Sequence, residues 1–556
     1  MKKQGFIYGS IILVASVILT KIIGAFFKIP LANMLGGSGM GYFSCAYGLF
    51  LPIYAISVTG LPTAVAKLTA ENAVFGRFAN VRKIKRISLA MFAIMGLLAS
   101  ILVLILALPF STFVAQNPLA FPAVMAIAPS ILFGCIMSVY RGYYEGLRNM
   151  FPTALSQVAE AVVKLLAGIL LCYFTLKFAE TNPDDFLHFA EKISGKAGGT
   201  IDGLVLPFAA AAAILGVTLS SFAGMIFLVL RHKFFGDGIT SSDIAKDKVT
   251  DTGKSIVQAL IRIVIPVAVG SLVTNLTSLI DLGTIVRSLN FSGAELSKIY
   301  NEVNIPPNEL SNFIFGSFTG LAVTVFNLVP SFTNMFGKGI LPSLTAAWSV
   351  HNTARIKKSV EAVIFVTGLI AIPCGIGISV LSKEILTFLY SSRQDEILVS
   401  YQSLAVLGIA VILLSLTIPI FSMLQAIGRA DLPVKIMLLG VAIKLLGNIF
   451  LISIPEINVV GAAISTLVCY LFICIISINI LCKLTKVHLN IGNIILKPIY
   501  AGIMCGATAL LVYNLCENFF GNTVSLVVSV AISGGIYLIF LYLLGIFNKS
   551  VLKLLF

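Results

Sequence analysis

Fourteen apolar stretches, each long enough to cross a lipid bilayer, take up most of this chain and leave it few folds to choose from. They run roughly at residues 6–35, 41–70, 87–115, 118–140, 152–177, 203–230, 255–286, 313–347, 359–382, 400–427, 433–454, 457–482, 497–516 and 523–546. In hydrocarbon every backbone N–H and C=O must be satisfied within the protein, so stretches of this length become helices. A composition of 58% hydrophobic and 11% charged residues, with mean hydropathy +1.02, excludes a soluble globular protein. The expected fold class is therefore an all-α polytopic membrane protein of about 14 transmembrane helices. Pro30, Pro52, Pro62, Pro207, Pro266, Pro330, Pro342, Pro373 and Pro419 predict kinked or locally broken spans. The first stretch is too long for a cleaved signal peptide and carries Lys21 and Lys28, so the mature chain is expected to begin at or near Met1.

Loop charge predicts the orientation. With the N-terminus inside, the inside loops hold 24 Lys and Arg residues and the outside loops seven. That asymmetry agrees with the positive-inside rule and places both termini in the cytoplasm. The formal net charge of +15 is then mostly topology, and no nucleic-acid partner is implied. The nine cysteines form no CxxC pair and fall mainly in apolar stretches, where they read as small hydrophobes. His188, His232, His351 and His488 sit in different loops, so neither a metal cluster nor a catalytic dyad is visible and no cofactor is expected.

An internal repeat organises the chain. Gly60-Leu61-Pro62-Thr63, with Asn72 ten residues after the proline, matches Ile340-Leu341-Pro342-Ser343 with Asn352. Leu147-Arg148-Asn149-Met150-Phe151-Pro152 matches Gly428-Arg429-Ala430-Asp431-Leu432-Pro433, and Lys164 matches Lys444. The offsets, 280 or 281, stay in register across these blocks. Two homologous six-helix lobes are expected, residues 1–232 and 255–484, joined by a cytoplasmic linker at 233–254 and followed by two extra helices in 485–556. Six is even, so the lobes are parallel repeats, and in such transporters substrate lies between lobes near the midplane.

Seven basic residues have no loop to occupy: Lys21, Lys28, Lys67, Lys164, Arg262, Lys338 and Lys444. A charge inside a span is costly and normally faces a bundle interior or a water-filled cavity, so a basic interior calls for an anionic cargo. Lys21 and Lys28 are two helical turns apart and share a face. Glu160 and Lys164 are spaced i, i+4, for which a local ion pair is the simplest account. Lys444 has Gly440 where such an acid would stand, so Asp281 or the cargo is its expected partner. Lys67, beside Glu71, reads as a gate or interface residue. Arg262 is expected to enter the seventh span, and Lys338, between Gly337 and Gly339, to mark a break in the eighth.

Several blocks carry a resemblance. Thr20-Lys21-Ile22-Ile23-Gly24; Tyr140-Arg141-Gly142-Tyr143-Tyr144-Glu145-Gly146 continuing through Asn149, Pro152, Ser156-Gln157 and Glu160; and Leu424-Gln425-Ala426-Ile427-Gly428-Arg429 with Pro433, Lys444 and Gly461-Ala462-Ala463 resemble the multidrug/oligosaccharidyl-lipid/polysaccharide exporter superfamily. The branch it looks most like is that of polysaccharide transporters, stage V sporulation protein B and lipid II flippases. The resemblance implies paired six-helix lobes, alternating access, and export of an undecaprenyl-pyrophosphate-linked saccharide, such as lipid II or a polysaccharide precursor, across a bacterial plasma membrane. Cell-wall synthesis proteins are then expected as partners beside the membrane lipids. It also implies that basic residues of the first helix, here Lys21 and Lys28, meet the pyrophosphate; Lys164, Lys444, Lys338 and Arg262 are further candidate contacts because they lie inside spans. A sodium site at Asp281, Asn448 and Thr466 would follow some lipid II flippases, although a structural Asp281 paired with Lys444 is favoured. One rival is a cation-coupled multidrug exporter, which calls for carboxylates in the cavity, whereas only Glu160 and Asp281 lie deep. The other is a membrane enzyme, for which the outside loops are too short, so no enzymatic activity is expected.

Overall fold

A computed structural model describes residues 6–194, 201–240, 244, 251–301, 303, 305–487, 489 and 492–546. Among them the chain is helical, with no strand. The expected linker at 233–254 lies partly outside the described residues, as does the side chain of Lys338. Among the described residues eleven helices are long and apolar enough to cross a membrane, or twelve if a bent pair, Leu310–Phe326 with Leu328–Gly337, is one span. Two of the eleven are far longer than one crossing needs: Ala15–Val74 has 60 residues and Gly492–Leu543 has 52. At 1.5 Å per residue they would run about 90 and 78 Å, against a hydrocarbon core of about 30 Å. Helical geometry fails inside them at Gly36 and Gly521, both with left-handed φ. Each therefore has room for the two spans expected from sequence.

The chain forms two compact units, Met1–Gly283 and Thr284–Phe556. The first contains α1 (Phe6–Val58), α2 (Leu61–Val74), α3 (Phe78–Pro109), α4 (Phe121–Ile127), α5 (Pro129–Gly146), α6 (Phe151–Thr181), α7 (Pro183–Ser194), α8 (Ile201–Phe235) and most of α9 (Gly253–Phe291). The division falls inside α9 rather than within 233–254, because α9 packs into the first unit: a Cβ on Gly60 would lie 3.0 Å from the Val264 carbonyl oxygen, and one on Gly48 only 2.3 Å from Leu282. In this unit α6 packs on both α8 and α1, and α5 on α2 and α3. The α6–α8 contact depends on small residues. A Cβ on Gly216 would stand 2.4 Å from Gly168, so the backbones touch where lipid offers no hydrophobic drive to hold helices together.

The second unit contains α10 (Gly293–Ile299), α11 (Leu310–Ser317), α12 (Val323–Phe326), α13 (Leu328–Ser349), α14 (Thr353–Val380), α15 (Ser382–Leu389), α16 (Gln394–Ala426), α17 (Asp431–Ile452), α18 (Val460–Thr485) and α19 (Lys497–Leu543). Helix α16 is its hub, packed against α13, α14 and α18, while α19 lies on α14. The expected break at Lys338 is not there. Helix α13 runs unbroken from Leu328 to Ser349, and the chain bends by 40° at Asn327 instead. Pro330 explains the position, since its ring clashes with the carbonyl four residues earlier, at Phe326, where the preceding helix stops.

The repeat is visible in backbone hydrogen bonds. At the end of α5 the amides of Leu147, Arg148 and Asn149 donate to the carbonyls of Tyr143, Glu145 and Tyr144; at the end of α16 those of Ile427, Gly428 and Arg429 donate to Met423, Gln425 and Leu424. Every partner is displaced by 280, one less than the offset of 281 that the sequence suggests for this block, and both helices close with a left-handed residue of a Schellman-type cap, Arg148 (φ +58°) or Gly428 (φ +81°). The register changes at the other turn. Gly76 and His351 are its left-handed residues, 275 apart, so Asn352 caps the N-terminus of α14 while Asn72 accepts from the Arg77 amide at the end of α2.

Candidate anion site

Helix α6 carries Gln157, Glu160 and Lys164 on one stripe, and α1 supplies what they meet. Ser16 contacts the Gln157 amide oxygen at 3.1 Å. Lys164 donates from Nζ to the Tyr47 hydroxyl at 3.3 Å and stands 5.0 Å from the Phe27 ring centroid and 5.7 Å from that of Tyr47. Aromatic faces attract a cation through their quadrupole without neutralising it. The rings belong to a ladder along α1, Phe27, Phe43, Tyr47, Phe50 and Tyr54, with neighbouring centroids 4.9 to 6.3 Å apart. Lys28 is half-buried and experiences the like charges of both Lys164 and Lys21, while Lys21 is exposed on the same face of α1. Of the three lysines expected to meet an anion, Lys21 and Lys164 are thus each within electrostatic reach of Lys28.

Glu160 does not pair with Lys164. Its carboxylate takes Arg141 Nη2 at 2.9 Å, and Arg141 Nε donates to Ser156 Oγ at 2.9 Å; the Ser221 hydroxyl lies 3.5 Å from the other carboxylate oxygen. The Arg141 side chain is 13% exposed and that of Glu160 26%. A planar guanidinium serves a hydroxyl and a carboxylate at once, which an ammonium one turn along the same helix cannot do. Arg141 lies within α5, one residue past the fourth apolar stretch. Its Arg-Gly-Tyr block was the available signal. Tyr47 and Phe27 were also missed, because aromatic residues in an apolar span carry no mark that separates a cation contact from packing.

The other candidates lie on α2, α9, α13, α17 and α18. Lys67 pairs with Glu71 at 4.0 Å, both exposed. Arg262 is exposed on α9 and Asp281 is half-buried further along it. In the second unit Lys444 is buried at 5% exposure. Asn448 is buried and donates to the Thr284 hydroxyl at 2.9 Å, and the Thr466 hydroxyl donates to the Ala462 carbonyl of its own helix. Among the described residues no group of three His, Cys, Asp or Glu side chains could hold a metal.

A second polar cluster closes the same unit at the loop after α8. Asp237 accepts from Tyr143 at 2.8 Å and from the Ile239 amide at 3.0 Å, with Arg82 at 3.5 Å. Burial pushes this carboxyl up, but the Ile239 amide, the Tyr143 hydroxyl and the Arg82 charge outweigh it and hold the group below the ordinary carboxylate value. Beside it His232 Nδ1 meets the Tyr144 hydroxyl at 2.9 Å, and Nε2 faces Lys85.

Comparison with known proteins agrees with this architecture. A family model described as polysaccharide biosynthesis protein matches residues 6–180. Stage V sporulation protein B of Bacillus subtilis (strain 168) is 22% identical, over 100% of this chain and 98% of that protein. The lipid II flippase MurJ of the same organism is 23% identical over 83% of this chain and 80% of its own. Among solved structures, a multidrug-resistance MATE family transporter in an inward-facing conformation matches with TM-score 0.61 and 13% identity, covering 86% of this chain and 98% of that one. A lipid II flippase MurJ in an inward closed conformation matches with TM-score 0.60 and 15% identity, covering 95% and 98%.

Proposed function

From its similarity to polysaccharide biosynthesis proteins, stage V sporulation protein B and a lipid II flippase, we propose that this chain is a polysaccharide-transporter and flippase-like member of the multidrug/oligosaccharidyl-lipid/polysaccharide exporter superfamily and that it carries an undecaprenyl-pyrophosphate-linked saccharide across a bacterial plasma membrane. The headgroup enters from the cytoplasmic leaflet and is exposed to the outer side by alternating access, while the polyprenyl tail stays in lipid. The end-to-end match to stage V sporulation protein B and the match to a lipid II flippase support a role in building cell wall, spore cortex or surface polysaccharide.

One observation carries this reading. The polar stripe of the first unit is cationic: Lys164 is held by aromatic groups rather than by Glu160, Lys28 experiences Lys21 and Lys164, and Glu160 is neutralised by Arg141. Such a surface attracts a pyrophosphate and offers an organic cation no uncompensated carboxylate, which weighs against the multidrug alternative. Purified protein in detergent should rise in melting temperature with undecaprenyl pyrophosphate and stay unchanged with organic cations. The reverse pattern would favour drug export. Depletion of the gene, followed by mass spectrometry of accumulated lipid-linked intermediates, would then identify the saccharide.

A further inference from the structure

We infer that Glu160, held in place by Arg141, recognises the saccharide of the carried lipid while Lys164 and Lys28 take its phosphates. This deepens the flippase reading above and rests on it. The two kinds of chemistry lie about one helical turn apart on α6, four residues or about 6 Å along its axis. A glycosyl pyrophosphate has the same order, with its first sugar ring joined directly to the second phosphate.

The Arg141 contact makes this arrangement workable. A bare carboxylate so close to a pyrophosphate would repel it, and binding would suffer. With Arg141 at 2.9 Å the pair is neutral overall, yet a carboxylate accepts about four hydrogen bonds and Arg141 takes only one of those positions. Ser221, at 3.5 Å from the other oxygen, is at the limit of bonding distance. The Glu160 side chain is 26% exposed, which leaves a path for sugar hydroxyls to approach it. Neutral hydroxyl donors are what a charge-compensated acceptor selects. Gln157, one turn closer to the cytoplasmic end of α6, and Tyr54, which lies within electrostatic reach of both Glu160 and Arg141, add amide and phenol groups of the kind that bind polyols. Arg141 is in this account a positioning residue, because it orients Glu160 and bonds Ser156.

The test uses the full chain in detergent and two probes, undecaprenyl pyrophosphate and the same lipid bearing a disaccharide. The readout is the ratio of their dissociation constants, which cancels any general loss of folded protein. The unsubstituted protein should prefer the glycosylated lipid by about tenfold, the order expected for hydrogen bonds to a charged group. Glu160→Gln should collapse that ratio toward one. Glu160→Asp, which keeps the ion pair and withdraws the acceptor by one methylene, should lower it part of the way. Lys164→Gln should weaken both lipids and leave the ratio standing. A Glu160→Gln protein that keeps its preference would overturn the inference, as would an unsubstituted protein that binds both lipids equally; in either case the flippase reading survives. Binding of neither lipid would remove both.

Discussion

Arg141 and Glu160 show how one side chain changes the meaning of another. An acid four residues before a lysine suggests a local pair, yet the guanidinium of a neighbouring helix wins because it fits two acceptors in one plane. Removing Arg141 alone strands a carboxylate, whereas removing both charges does not. Arg141→Ala should therefore destabilise by about 1–3 kcal/mol, and Arg141→Ala with Glu160→Gln by less. Detergent melting temperatures of the two variants decide; a double variant as unstable as the sum of its parts would mean the groups are uncoupled. The helix caps allow a prediction of opposite sign. Arg148 occupies the left-handed position that Gly428 fills in the repeat, at a cost of about 1–2 kcal/mol for a side chain with a Cβ. Arg148→Gly should raise the melting temperature and Gly428→Ala should lower it.

At the scale of helices, the first unit depends on close backbone approach. The α6–α8 crossing at Gly168 and Gly216 has no room for a side chain, so Gly216→Val should lower the melting temperature, and it should also weaken lipid binding because α6 carries Glu160 and Lys164. Unchanged melting and binding would show that the crossing relaxes freely. The loop after α8 is tied down by Asp237, whose carboxyl is held below its ordinary value. A depressed acid stabilises the fold above its unfolded value and loses that contribution as the pH falls through the folded one. Asp237→Asn should thus be less stable than the parent at neutral pH, and the gap should close only below about pH 4. A gap that closes between pH 8 and 6 would point instead to His232.

For the whole molecule, the prediction concerns driving force. A pyrophosphate with about two negative charges moves outward down an inside-negative potential, with about 2.3 kcal/mol per charge per 100 mV available. The lysines cancel part of that charge in the loaded state. Empty, the basic site is net positive and is drawn back toward the cytoplasm, provided it moves through part of the field. Liposomes given a potassium-valinomycin potential, without sodium or proton gradients, should expose headgroups on the far side. Transport indifferent to potential and dependent on sodium would instead make Asp281 the coupling residue.

The apolar stretches were sufficient for an all-helical membrane chain, because hydrocarbon leaves the backbone no other way to satisfy its hydrogen bonds. Pro, Gly and Arg blocks recurring at offsets of 280 and 281 pointed to a repeat, and the caps ending α5 and α16 share one hydrogen-bond pattern, since helix caps demand particular backbone angles that few residues supply. Lys21, Lys28 and Lys164 stood out as candidates for a related reason: a charge inside a span is costly and calls for a partner. Sequence could not say that α9 packs largely with the first unit, that Pro330 rather than Lys338 sets the bend in the second, or that Glu160 belongs to Arg141. Nor could it place Lys164 between Phe27 and Tyr47. Those outcomes depend on which helix faces come together, and in an apolar bundle a face is chosen by small residues and a few polar contacts distant in the chain. Their energies are visible only once the helices are packed.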